Sequence, residues 1–249
     1  MEEYVNDIVK WLQHQVKETE TKGLVVGVSG GLDSAVVAHL IKRAMPENSL
    51  GVLLPIHTSE KNLVHARDVI DRSGIDTITL DLTETHKTMY SEIKSKLQES
   101  NAFIDANDRL ASANLRARLR MSALYALATN YNYLVVGTDN AAEFYTGYFT
   151  KYGDGGVDIL PIVEFTKEEI REMAAYLGVP SDIVKKKPSA DLWEGQTDED
   201  EMGTTYDYID DYLKGKEIPE KDKDIIEAMH AKTAHKRAPL PQYKRDNSL

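Results

Sequence analysis

A chain of 249 residues, 41% of them hydrophobic, can fill one sizeable core, and its 29% charged residues of both signs belong to a folded body rather than a disordered one. With 41 acidic against 30 basic residues the net charge is −11, which excludes a general attraction to nucleic acid or anionic lipid. The absence of cysteine excludes disulfides, thiolate metal sites and a cysteine nucleophile, and agrees with a reducing compartment.

The first residues lack a basic segment followed by an apolar one, and no window approaches the roughly 20 apolar residues of a membrane span. A soluble, cytoplasmic protein is expected. Val5, Ile8, Val9, Leu12 and Val16 share one helical face, with Trp11 near its edge. A strand is predicted over Leu24 to Val28, then a helix over Asp33 to Ala44, a strand over Leu50 to Ile56 and a helix over Glu60 to Ser73. Next come a strand at Thr77 to Leu82, a helix at Glu84 to Leu97, a long helix at Ala111 to Thr129 and a strand at Tyr133 to Val136. Apolar strands alternating with helices predict βαβ units, hence an α/β fold with a doubly wound parallel sheet and helices on both faces.

Beyond Thr138 the pattern loosens into glycine- and tyrosine-rich sequence, with helices returning at Lys167 to Leu177, Tyr206 to Leu213 and Ile218 to His230. The basic ending from His235 reads as an irregular tail. The chain shows no repeat of the solenoid or propeller kind, and one domain over 1–249 is expected.

The first strand runs into Ser-Gly-Gly-Leu-Asp-Ser, Ser29 to Ser34, and then a helix. Helix N-termini present unpaired N–H groups, and glycines let backbone approach an anion, so the loop suits a pyrophosphate. It is not a Walker loop, because Leu32, Asp33 and Ser34 supply no lysine. It is not a dinucleotide fingerprint either, since Gly27, Gly30 and Gly31 are misplaced for one. Asp33 has two readings: a helix-start acid worth about 0.3–1 kcal/mol against the dipole, or an anchor for Mg²⁺ lying between carboxylate and phosphate.

The Ser29 to Ser34 loop resembles that of the N-type ATP pyrophosphatases, which share an adenine nucleotide α-hydrolase-like, Rossmann-like fold and cleave ATP to AMP and pyrophosphate. Val135 to Ile162, Lys185 to Leu213 and Thr233 to Arg237 resemble, in order, segments that distinguish the NAD synthetases within that group. The resemblance implies a ligase, the last step of NAD biosynthesis, in which deamido-NAD, ATP and ammonia give NAD, AMP and pyrophosphate.

It further implies that ATP meets Gly27, Val28, Ser29, Gly30, Gly31, Leu32, Asp33 and Ser34 together with Thr138, Lys167 and Ser189. Ser189 stands where many relatives have threonine and keeps the hydroxyl. Mg²⁺ would be held by Asp33 and Glu143, with Lys167 joining them in the chemistry. Arg118, Lys151, Asp158, His235 and Lys236 match positions that contact deamido-NAD. Without the resemblance several of these have plainer readings. Thr138 would be a helix cap, Glu143 a solvated helix-start acid, Arg116, Arg118 and Arg120 a solvated helix face, and Lys185 to Lys187 a helix end.

The loops at Lys151 to Gly156 and Lys186 to Gly203 are long for connectors and are expected to close over ligand. Glutamine-using relatives add an amidase domain with a cysteine nucleophile, so ammonia is the expected nitrogen source. The resemblance also implies a homodimer, for which the apolar faces of the first helix and of the Ala111 to Thr129 helix leave material. Two rivals remain: a module that binds ATP without cleaving it, and an RNA-thiolating or amidating enzyme, which the acidic charge and missing cysteine disfavour.

Overall fold

The computed structural model describes residues 1–188 and 197–245. Four parallel strands, β1 (Gly23–Gly27), β2 (Ser49–Leu53), β3 (Asp76–Thr79) and β4 (Tyr133–Val135), form a sheet in the order β3-β2-β1-β4. The register sets Val25 beside Leu50 on one side and Val135 on the other. A parallel bridge from Val136 to Ile159 extends pairing past β4.

Strand alternation divides β1 between two cores. Leu24 and Val26 face a layer that buries the apolar sides of α1 (Glu2–Glu18), α2 (Leu32–Ala44), α3 (Glu60–Ser73) and α7 (Lys167–Leu177). Val25, with Val52 and Val135, faces α5 (Asp105–Tyr131) on the opposite side of the sheet. Helices therefore cover both faces, as a doubly wound sheet requires. A third, smaller cluster joins Ala142 of α6 (Ala141–Thr146) to Met202, Tyr206, Ile209 and Ile226. These come from α9 (Asp198–Met202), α10 (Tyr206–Leu213) and α11 (Glu220–Lys232). The short helices α8 (Ser181–Val184) and α12 (Ala234–Arg237) follow α7 and α11 respectively.

The differences from the sequence reading have local causes. Strand β2 ends at Leu53 rather than Ile56 because Pro55 has no N–H to offer the ladder. Strand β3 is a mostly exposed edge, Asp76–Thr79, although Leu80 and Leu82 still donate N–H bonds of 2.9 and 3.0 Å to Leu53 and Pro55. Helix α5 begins at Asp105, before the apolar positions that define its pattern, with Asp105 and Asp108 in its first turn. The apolar face of α1 is not spare: Val5, Ile8, Leu12 and Val16 are all core. The basic ending is not wholly irregular, since α12 takes its first residues.

The chain winds from β1 outward through β2 and β3, then returns to place β4 on the other side of β1. The carboxyl ends of β1 and β4 thus flank a topological switch point, where ligands bind in open α/β sheets. Among the described residues no helix is long and apolar enough to cross a membrane.

Candidate active site

At the switch point the chain leaves β1 through Val28 to Gly31 and enters α2, whose N-cap Gly31 makes no side-chain cap. Gly30 has φ 77°, and a Cβ there would lie 2.6 Å from the Asn62 carbonyl oxygen. Only glycine fits this close turn against α3. The hydroxyls of Ser29 and Ser34 lie 3.0 Å apart, and Ser34 Oγ accepts from the Ser29 N–H at 3.2 Å. The loop is thereby pinned from inside, with the helix start facing the crevice as an anion cradle.

Beside it, Lys167 Nζ lies 2.6 Å from Asp33 Oδ2 and 3.3 Å from Glu143 Oε1. Three elements converge here: Asp33 from the first turn of α2, Glu143 from the first turn of α6 and Lys167 from the start of α7. Asn140 ties two of them. Its side chain caps α6 by accepting the Glu143 N–H at 3.1 Å and donates Nδ2–H to Asp33 Oδ1 at 3.1 Å. Tyr206, fully buried, donates its hydroxyl to Glu143 Oε1 at 2.9 Å, while its ring lies 4.5 Å from the Lys167 ammonium.

The charges explain the titration. Burial would neutralise Lys167, but Asp33 and then Glu143 more than offset it and hold the ammonium's pKa above the ordinary lysine value. Burial pushes Glu143 up to about 7 against the pull of Lys167, with Asp33 adding repulsion. Asp139, only 5% exposed, is raised well above a normal carboxyl by burial and by Asp154, Glu143 and Asp33. Acid therefore exceeds base around the loop. Among the described residues no three such groups cluster as a metal site, but the carboxylates of Asp33 and Glu143, brought together at Lys167, are hard oxygen donors of the kind that one divalent cation shared with phosphate oxygens takes.

A cavity of about 800 Å³ opens from this cluster, lined by the loop, by Thr138 and Asp154, and by α5 through Arg120 and Leu124. That volume suits a nucleotide-sized ligand. His235 and Lys236 also line it, with Lys236 Nζ donating to the carbonyls of Gly147, at 2.7 Å, and Phe149. Arg118, Lys151 and Asp158 do not. Arg118 is exposed on α5 and reaches the Lys151 carbonyl at 3.4 Å, while Lys151 Nζ donates to the His235 carbonyl at 2.5 Å. Both Asp158 oxygens are used structurally, by Tyr125 OH at 2.9 Å and the Val135 N–H at 2.8 Å. Ser189 lies outside the described residues, as does part of the Lys186 to Gly203 loop.

Some plain readings of single residues do not survive. Glu143 is not a solvated acid, and the cap of α6 is Asn140 rather than Thr138. Arg116 is buried, and Arg120 donates Nε–H to the Leu54 carbonyl at 3.0 Å, so neither belongs to a solvated face. Sequence reasoning missed Asn140, Tyr206, Asp139 and Arg120. The one available signal was Asn140 three residues before Glu143, the spacing of a capping box.

A parallel sheet with a glycine-rich anion loop and paired carboxylates at its switch point defines an α/β nucleotide-binding protein of the Rossmann-like, adenine nucleotide α-hydrolase type. The NAD synthase family model matches residues 4–241, and an NH(3)-dependent NAD(+) synthetase of Alkaliphilus oremlandii is 57% identical over 96% of both chains. The chain belongs to the NAD synthase family. Among solved structures, the NMN synthetase from Francisella tularensis superposes with TM-score 0.88 at 39% identity, covering 97% of this chain and 98% of that one. The NH3-dependent NAD synthetase from Campylobacter jejuni gives 0.77 at 28%, covering 98% of each.

Proposed function

We propose that this chain is an ammonia-dependent NAD synthetase acting as one catalytic unit in the cytoplasm. It joins ammonia to the nicotinate carboxylate of deamido-NAD and cleaves ATP to AMP and pyrophosphate. The observation that supports it most is the convergence of Asp33, Glu143 and Lys167 on the anion loop, within a cavity large enough for a nucleotide.

The Ser29 to Ser34 backbone cradles the β- and γ-phosphates, and Ser29 and Ser34 keep the loop in shape. Lys167 neutralises charge building on the departing pyrophosphate as the carboxylate oxygen attacks the α-phosphorus. Asp33 and Glu143 would hold Mg²⁺, which when bound supplies further charge neutralisation on the phosphates. Thr138, three residues past β4, lines the cavity, and both it and Ser189 are assigned to ATP by resemblance. Ammonia then attacks the acyl carbon and AMP leaves, with water excluded from the adenylate by the surrounding loops.

His235 and Lys236 are assigned to deamido-NAD inside the cavity, and Arg118, Lys151 and Asp158 to the part of the dinucleotide that extends beyond it. An exposed apolar row, Met89, Ile93 and Leu97 at four-residue spacing on α4 (Thr83–Glu99), supports a homodimer through this helix.

The test is formation of pyrophosphate and NAD from ATP, Mg²⁺, ammonium and deamido-NAD, with each omitted in turn. Both products should appear only in the complete mixture, glutamine alone should not replace ammonium, and Asp33→Asn should abolish both products. Binding of ATP with no acceptor that releases pyrophosphate would overturn the reading. The likeness to an NMN synthetase favours one alternative acceptor, so nicotinate mononucleotide is run in parallel. A higher kcat/KM for it would make the mononucleotide the substrate.

A further inference from the structure

A second pocket, of about 550 Å³, opens between α3 and α8, lined by Lys61, His65, Asp182, Lys185, Lys186 and Lys187. Four of its six residues are lysines and Asp182 is the one acid among the described residues lining it, in a molecule whose net charge is −11. The pocket backs onto the anion loop. Lys186 and Lys187 line both cavities, and Lys186 Nζ donates to Asn62 Oδ1 at 2.5 Å and to the Gly30 carbonyl at 3.4 Å. On the same wall, a Cβ built on Gly30 would lie 3.1 Å from His65 Cβ, and His65 Nδ1 is buried with no hydrogen-bond partner. Burial is the main cause of the lowered pKa of His65, with Lys186 and then Lys61 adding to it and Asp68 and Asp182 opposing it, so both lysines act on this wall electrostatically.

We propose that this pocket is a release station for inorganic pyrophosphate. The inference rests on the adenylation reading above. Pyrophosphate is formed on the loop while the acyl-adenylate still occupies the main cavity. The two cavities meet at Lys186 and Lys187, so a path out that does not cross the adenylate runs past these two side chains. Lys186 and Lys187 stand at that boundary, and Lys61 and Lys185 carry positive charge from there to solvent. The ligand class is a compact, highly charged condensed phosphate with no nucleoside to recognise, which matches a wall of flexible ammonium groups. Handing the anion from loop to pocket lowers its chance of reversing the adenylation before ammonia arrives.

The test uses the full chain and a variant carrying Lys61→Gln and Lys185→Gln, neither of which lines the main cavity. Inorganic pyrophosphate is titrated calorimetrically into each protein saturated with Mg²⁺ and α,β-methylene-ATP, so that the loop is occupied. Wild type should bind one further equivalent, the glutamine variant none, and a Lys61→Arg, Lys185→Arg variant should bind as wild type, separating charge from folding. In turnover the glutamine variant should keep the single-turnover rate of AMP formation and lose steady-state rate, as for slowed product release. No extra equivalent in wild type, equal binding by the glutamine variant, or unchanged steady-state turnover would each overturn the proposal. If wild type forms no pyrophosphate with either acceptor, the functional reading fails by itself, while the titration still decides whether the pocket takes the anion.

Discussion

Lys167 is a fully buried ammonium held between two carboxylates and over an aromatic ring. Removing one member of such a buried set leaves the others without compensation, at about 3–5 kcal/mol. Lys167→Met should therefore lower the unfolding free energy of the ligand-free protein, read from urea denaturation, by an amount in that range and abolish pyrophosphate formation. An unchanged midpoint would mean that the carboxylates find other partners. Asp33 was legible in the sequence because its neighbours are contiguous, Ser29 to Ser34. The bonds from Asn140 to Asp33 and from Tyr206 to Glu143 were not, because these partners are brought together only when α2, α6 and α10 pack.

At the scale of elements, α2 carries the loop at one end and is buried nearly throughout, including its one histidine. His39 is 6% exposed, bonds the Ala35 carbonyl through Nδ1 at 2.8 Å, and has no partner for Nε2. Burial is the main cause of its lowered pKa, opposed by the Ala35 bond. The unfolded chain then takes up this proton at higher pH than the folded one. The His39 contribution is present above about 6.5 and is lost as pH falls through that value toward the lower folded pKa. His39→Gln should flatten this part of the stability curve between pH 7 and 5, read as the difference in unfolding free energy from wild type. Parallel curves would remove His39 as its source. Elements with a strong apolar signal, β1, β2 and α2, were readable to within a few residues. Edge strand β3 was displaced because its pairing residues are polar, and α5 was shortened because its first turn carries no apolar pattern.

At the scale of the molecule, the doubly wound sheet followed from the alternation of apolar strands with helices, whereas the cavity did not, since its walls come from loops and helix ends far apart in the chain. The apolar row on α4 is the surface on which the dimer proposal depends. Ile93→Glu with Leu97→Glu should convert a dimer to a monomer in light scattering coupled to gel filtration, and the monomer should lose affinity for deamido-NAD before it loses affinity for ATP. A wild-type monomer, or a variant still dimeric, would refute the assignment. A separate expectation follows from the charge: ATP meets an acidic molecule, so added salt should raise its association rate until local lysine contacts are screened.

The ladder between β1 and β4 pairs Gly23 with Tyr133, whereas β1, β2 and β3 are joined by short βα units. Closing so long a stretch of chain costs entropy before any contact rewards it. The three amino-terminal strands should therefore assemble first, and the groups that meet Asp33 should arrive late. During refolding, helical circular dichroism would recover ahead of ATP binding, and the interval between them would measure how long the folding chain holds a finished phosphate loop beside an unfinished active site.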